Sequence, residues 1–204
     1  MAALLSAPTI AVVAVAVVVA ATGNGATRTP LIPPTNLPGE LTGPAPWPAN
    51  IGQLHARLSA MGLPALGAQG TRLHIHQHLD VYVDGRRVTV PEGVGIGTNG
   101  PEVFFSPLHT HDATGVVHVE SPVVKTFTLG QFLAVWGVRF TPRCLGGYCV
   151  RGADRIRVYF DGKLVTGDPR ALPLEEHEEI VVTYGTKAEL PKSIPSSYPF
   201  PAGL

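Results

Sequence analysis

The sequence is short of charge. Only 15% of its 204 residues are Asp, Glu, Lys or Arg, with 15 basic side chains against 15 acidic ones. That balance offers no electrostatic footprint for nucleic acid, which needs clustered cations. Sulfur is scarce as well: the cysteines are Cys144 and Cys149, and the methionines are Met1 and Met61. Copper(I) storage on thiolate or thioether clusters is therefore excluded, and a blue-copper centre lacks its sulfur ligands. Four residues separate the two cysteines, so the CxxC redox spacing is missing. No GxSxG surrounds Ser106 or Ser121, so no nucleophile elbow is visible. What the chain has instead is 23 Gly and 20 Pro, a composition that favours turns and strands over long helices.

No basic residue precedes the apolar stretch Ala2 to Ala21, whose strongest part is Ile10 to Ala21. Two readings stand for residues 1–22. One is a signal peptide, with small residues Val19-Ala20-Ala21 at a cleavage site. The other is an uncleaved membrane anchor formed by an N-terminal hydrophobic helix. Both put the rest of the chain outside the cytoplasm, membrane-anchored or secreted. Residues 23–50 hold seven Pro and read as a semi-extended spacer. The domain proper is expected over 51–186, followed by a Pro-rich tail over 187–204 that Tyr198 and Phe200 could dock.

Asn50 reads as the N-cap of a short helix with Ile51, Leu54, Leu58 and Met61 on one face and Gly62 as its stop. From Leu73 the period becomes two. Leu73, Ile75, Gln77, Leu79, Val81 and Val83 form one, mostly apolar face of a strand, and His74, His76, His78, Asp80 and Tyr82 form the other. Asp84-Gly85 turns that strand into a hairpin. The segment Val81 to Thr89 matches Val158 to Thr166, each a strand, an Asp-Gly turn and a second strand. This internal repeat, spanning roughly 73–90 and 153–166, suggests two β-grasp-like halves. Leu108 to Val119 forms another hairpin, which sets His109 opposite His118. Thr128 and Gln131 make a capping box, with Phe127 and Phe132 as its staple, for a central helix from Leu129 to Trp136. The fold class is thus α+β, mainly antiparallel β with one short central helix. Gly146-Gly147 permit a tight turn, so an oxidising compartment would favour a local Cys144–Cys149 disulfide. A redox pair and a pair of metal ligands are the alternatives.

Six of the eight histidines fall in two short segments: His74, His76 and His78 in one, and His109, His111 and His118 in the other. Strand residues two apart project from one face at roughly 6.5–7 Å, and two imidazoles so placed can converge on one ion with bonds of about 2 Å. Two such pairs supply three or four nitrogen ligands. Asp80, Asp112 and Glu120 are candidate carboxylate ligands or orienting partners. An imidazole site suits zinc or copper, and two His with a carboxylate would also suit iron. His177 lies in an acidic turn and His55 on the polar side of the first helix, so both read as solvated. Gly93 to Gly97 opens no helix and reads as a loop rather than a phosphate cradle.

The motifs LHIHQHLDVYVDGRRVTVPEGVGI, LHTHDATGVVHVESP, FTLGQFLAVWG and VYFDGKLVTGDP, with EEIVVTYG, resemble a group of bacterial extracytoplasmic His-rich proteins. The resemblance covers about residues 51–200 and implies the domain boundaries and the importance of the six histidines. The group has no assigned activity, so the resemblance implies no reaction. The leading expectation is an extracytoplasmic protein that binds or handles zinc or copper through strand histidines. The alternatives are a metal-dependent hydrolase, with Asp112 or Glu120 as base, and an envelope interaction module that holds no metal.

Overall fold

The computed structural model describes residues 32–204. The apolar segment expected to be a signal peptide or anchoring helix lies outside the described residues, and so does the first part of the spacer. Among the described residues no helix is long and apolar enough to cross a membrane.

The elements, in chain order, are α1 (Leu54–Met61), β1 (Leu73–Val83), β2 (Arg86–Val88), β3 (Ile96–Asn99), β4 (Glu102–Phe105), β5 (Leu108–His109) and β6 (Val116–Ser121). They continue with α2 (Leu129–Trp136), β7 (Cys144–Leu145), β8 (Tyr148–Cys149), β9 (Arg155–Phe160), β10 (Lys163–Leu164) and β11 (Glu179–Gly185). The class is α+β, as the alternation of residue types implied. Seven strands form one sheet in the order β10-β9-β11-β1-β6-β5, with β2 also paired to β1. Every pairing is antiparallel except that of β1 with β11. The first half of the long strand β1 pairs with β6, and its second half pairs with β2 and β11.

Both Asp-Gly hairpins form as the sequence indicates. Asp84 and Asp161 sit at φ 48° and 47°, each followed by glycine at φ 75°, the left-handed pair that a two-residue turn between twisted strands requires. The repeat does not, however, produce two β-grasp-like halves. The β1–β2 and β9–β10 hairpins flank β11 in one sheet and share one core. An isolated two-stranded hairpin is at best marginally stable in water, and here the parallel β1–β11 contact joins the two.

Helix α2 begins with the expected capping box: Gln131 N donates to Thr128 Oγ1 and Thr128 N to Gln131 Oε1. All eight of its residues are buried, so it is apolar all round rather than on one face. The cover on its outer side comes from the segment read as a spacer. Leu37 and Trp47 are in the core, Trp47 packs edge-on to Trp136 with ring centroids 5.9 Å apart, and the Trp136 indole donates to Pro48 O at 2.9 Å. Residues 37–48 therefore belong to the domain. Their prolines do not project it outward, because two large apolar side chains anchor them.

Helix α1 buries Leu54, Leu58 and Met61 as expected, but Ile51 is exposed. Asn50 does not cap it; its side chain donates instead to Gly39 O at 2.8 Å. The unexpected core member is Arg57. Its guanidinium is fully buried and donates to the carbonyls of Pro38, Asn50 and Val135, tying the N-terminal segment, α1 and α2 together. Burial holds it down at about 10, below the usual arginine range.

Cys144 and Cys149 face each other across the β7–β8 hairpin and are joined in a disulfide. Such bonds persist in oxidising compartments, which fits a place outside the cytoplasm. The closed loop is short, so chain entropy assigns it only roughly 2 kcal/mol. Cys144→Ser with Cys149→Ser should lower urea-denaturation stability by about that amount and leave the fold intact. Global unfolding of the double variant would contradict this.

Candidate metal centre

Strand β6 lies between β1 and β5, and its alternation decides what faces what. Val117 and Val119 enter the core, which turns His118 and Glu120 to the opposite face. Register then sets the neighbours: His118 is opposite His76 on β1 and opposite His109 on β5, while Glu120 is opposite His74. A row of three imidazoles therefore crosses three strands; the hairpin expected for residues 108–119 implied the His109–His118 pair, and the β1–β6 pairing adds His76. Pairs directly opposite each other on adjacent strands lie roughly 4.5–5.5 Å apart at Cβ, so their rings meet.

His111 lies beyond the end of β5, yet its position is fixed. Thr110, fully buried between His109 and His111, donates through Oγ1 to Pro91 O and accepts from Val94 N. Its backbone also exchanges hydrogen bonds with Gly93 and Val94. The glycine-rich loop is thus a wall of the site and not a phosphate cradle. Gly95 has φ 75°, and a Cβ there would come within 2.2 Å of Leu108 O and 3.1 Å of His109 Cβ, so no larger residue fits.

The separations suit an ion. His74 Nε2 and His76 Nε2 are 3.1 Å apart, and His109 Nε2 and His111 Nε2 are 3.2 Å apart. Glu120 Oε1 stands 3.3 Å from His74 Nε2, 3.4 Å from His118 Nδ1 and 3.9 Å from His109 Nε2. Tetrahedral ligands on bonds of about 2.1 Å lie roughly 3.4 Å from one another. His109 has its tautomer set: Nδ1 donates to the Ser106 carbonyl at 3.0 Å, which leaves the Nε2 lone pair facing the cluster. His118 Nδ1 is buried with no hydrogen-bond partner among the described residues. A buried polar atom in that state costs free energy unless something else satisfies it, and a cation would.

The electrostatics agree with this. Burial, with the crowding of neighbouring rings as a second cause, pushes His118 down to about 3. Burial pushes His109 down to about 4 against the opposing pull of the Ser106 carbonyl. His76 is lowered by burial and then by His74, and burial raises the Glu120 carboxyl. The buried rings are therefore neutral at pH 7, the form in which an imidazole nitrogen can coordinate a metal.

Of the six histidines singled out in the sequence, five gather here and His78 does not. Its Nε2 donates to Thr114 O at 3.0 Å, its Nδ1 lies 2.7 Å from Glu179 Oε2, and its ring stacks on Tyr198 at 3.9 Å. The C-terminal tail thus docks by Tyr198 and covers this end of β1. His78, Asp80 and Glu179 form a separate close group, but Arg87 Nε donates to Asp80 at 2.6 Å. Asp112 is also turned away: its Oδ1 accepts from Thr114 N and Oγ1, stabilising the exposed turn. His177 reaches Leu204 O at 2.8 Å, and His55 meets the edge of Phe104. The disulfide withdraws both cysteines from any ligand role.

Gln69 was missed. Its Nε2 lies 3.3 Å from His109 Nε2 and 2.9 Å from His111 Nε2, so the amide donates to the lone pairs an ion would take. Nothing in the loop sequence around Gln69 marks it, because its approach depends on tertiary placement alone.

Comparison of the chain with family models, with curated proteins and with solved structures gives no match. The site rests on its own geometry: His and Glu ligand atoms within 4.8 Å of one another, close enough to hold a metal ion.

Proposed function

We propose that this is an extracytoplasmic protein that binds or handles a transition metal, zinc or copper, at the cluster of His74, His76, His109, His111, His118 and Glu120. The observation that carries this reading is the buried Nδ1 of His118, which makes no hydrogen bond among the described residues, faces Glu120 Oε1 at 3.4 Å and is set among four other imidazoles. Neutral imidazoles with one carboxylate suit Zn²⁺ or Cu²⁺. Catalysis of hydrolysis has less support. Asp112, a candidate base, is occupied in its turn, and Glu120 stands among the ligands. The resemblance to bacterial extracytoplasmic His-rich proteins and a tether through the N-terminal segment belong to the same proposal.

The test is metal content. The full chain, untagged and recovered from an oxidising compartment, is expected to hold stoichiometric zinc or copper by mass spectrometry. His76→Ala with His109→Ala should remove it. A wild-type protein that stays empty after reconstitution with either metal would sink the proposal and favour a metal-free envelope interaction module.

A further inference from the structure

Building on the proposed metal site, we infer that the cluster takes two ions, one on each His-x-His pair, with Glu120 bridging them. The six ligands fall into two groups. His74 and His76 group with His118 and Glu120, and His109 and His111 group with the same two residues. Within each group the ligand atoms lie within 4.8 Å of one another. Among the described residues no set of ligand atoms within 4.8 Å of one another contains both His-x-His pairs, whereas ligands on one ion with bonds of about 2.1 Å lie no more than roughly 4.2 Å apart.

The sheet makes the division. The outer strands β1 and β5 each supply a histidine pair, and the middle strand β6 supplies what the two groups share. Glu120 Oε1 already lies 3.3 Å from His74 Nε2 and 3.9 Å from His109 Nε2, one ring from each side. A carboxylate has two oxygens and can hold two ions about 3.5–4 Å apart. His118 joins one ion through its Nδ1, which makes no hydrogen bond among the described residues. Each ion then has two imidazoles and a carboxylate oxygen, with His118 adding a fourth ligand to one of them. The remaining positions open towards solvent, because His74 and His111 are exposed while the other four ligands are buried. Water or hydroxide can complete the coordination there and offset the repulsion between the cations.

The experiment is a copper(II) titration of the chelator-stripped full chain, read by calorimetry, native mass spectrometry and electron paramagnetic resonance. Two ions per chain are expected, with spin intensity below that of two isolated copper(II) ions. His74→Ala and His111→Ala both alter exposed side chains outside the core, and circular dichroism checks that each folds. Each variant should retain one tight ion and weaken the other at least tenfold. Glu120→Gln should restore uncoupled spectra or lose the second ion. One ion in the wild type, weakened equally by His74→Ala and His111→Ala, overturns the dinuclear centre while leaving metal binding intact. Two uncoupled ions that Glu120→Gln leaves unchanged overturn the bridge. No ion in the folded wild type overturns the proposed metal function itself, and the dinuclear centre with it.

Discussion

The His118→Ala protein is expected to come out of metal reconstitution with one ion bound far more weakly than in the wild type. His118 is the fourth ligand of that ion, which keeps only two imidazoles and the Glu120 carboxylate without it. Affinity for that ion should fall by more than about 100-fold, beyond the 10–100-fold cost of losing a mere orienting partner. The variant should nevertheless fold. Its metal-free form loses a buried ring but also loses an unsatisfied buried nitrogen, and the two effects oppose each other. The contrast appears on adding metal. At about 1,000 times its dissociation constant a ligand stabilises the wild type by roughly 4 kcal/mol per ion, and His118→Ala should lose most of the share that belongs to the ion it ligates. The sign of the pH dependence follows from the lowered rings. Because burial pushes His118 down to about 3 and His109 down to about 4, protons compete little for these two nitrogens at pH 5.5. Their own loss to protons should therefore set in only as pH approaches about 4, below the ordinary imidazole range. Thermal melts with and without metal, with competition titrations at pH 7.5 and 5.5, provide the measurement. Metal-induced stabilisation in His118→Ala equal to the wild type's would refute the arrangement.

The second large effect has the opposite character. His78→Ala should destabilise the fold by roughly 3–5 kcal/mol, the cost of breaking a buried pair, and leave metal content unchanged. Glu179 is 1% exposed, and its Oε1 already lacks a hydrogen-bond partner among the described residues. Burial raises its carboxyl, and His78 is the main influence pulling it back down. Without His78 the carboxyl rises further above its unfolded value. Stability of the variant is then greatest at pH below the unfolded carboxylate value and is lost as pH rises through the folded one. The deficit against the wild type should be larger at pH 7.5 than at pH 5. Urea denaturation at both pH values measures it. Loss of metal with unchanged stability would return His78 to the ligand set.

What the sequence made legible was local. The Thr128–Gln131 box, the two Asp-Gly turns and the His109–His118 register all depend on residues close in the chain, where turn and cap chemistry dictates geometry. Glu120 could be placed with the histidines because it shares a strand face with His118. The misreadings concern distant partners. His78 has the same alternation as His74 and His76, but the parallel β11 brings Glu179 opposite it. Residues 37–48 have a linker's proline content, and only Leu37 and Trp47 show that they seal α2. Arg57 has the spacing of a core residue on α1 but the chemistry of a surface one.

Strand β6 carries one further consequence. Its valines and its ligands alternate, so a slip of one residue against β1 would put Glu120 in the core, and apolar burial forbids that error. A slip of two residues keeps every valine inside and satisfies the core almost as well. It would, however, take His118 from His76 and Glu120 from His74, and so break the ligand group on the β1 side while the β5–β6 hairpin keeps its own register. A metal present while the chain folds would therefore proofread the strand alignment, rejecting the mispairing that hydrophobic burial alone tolerates.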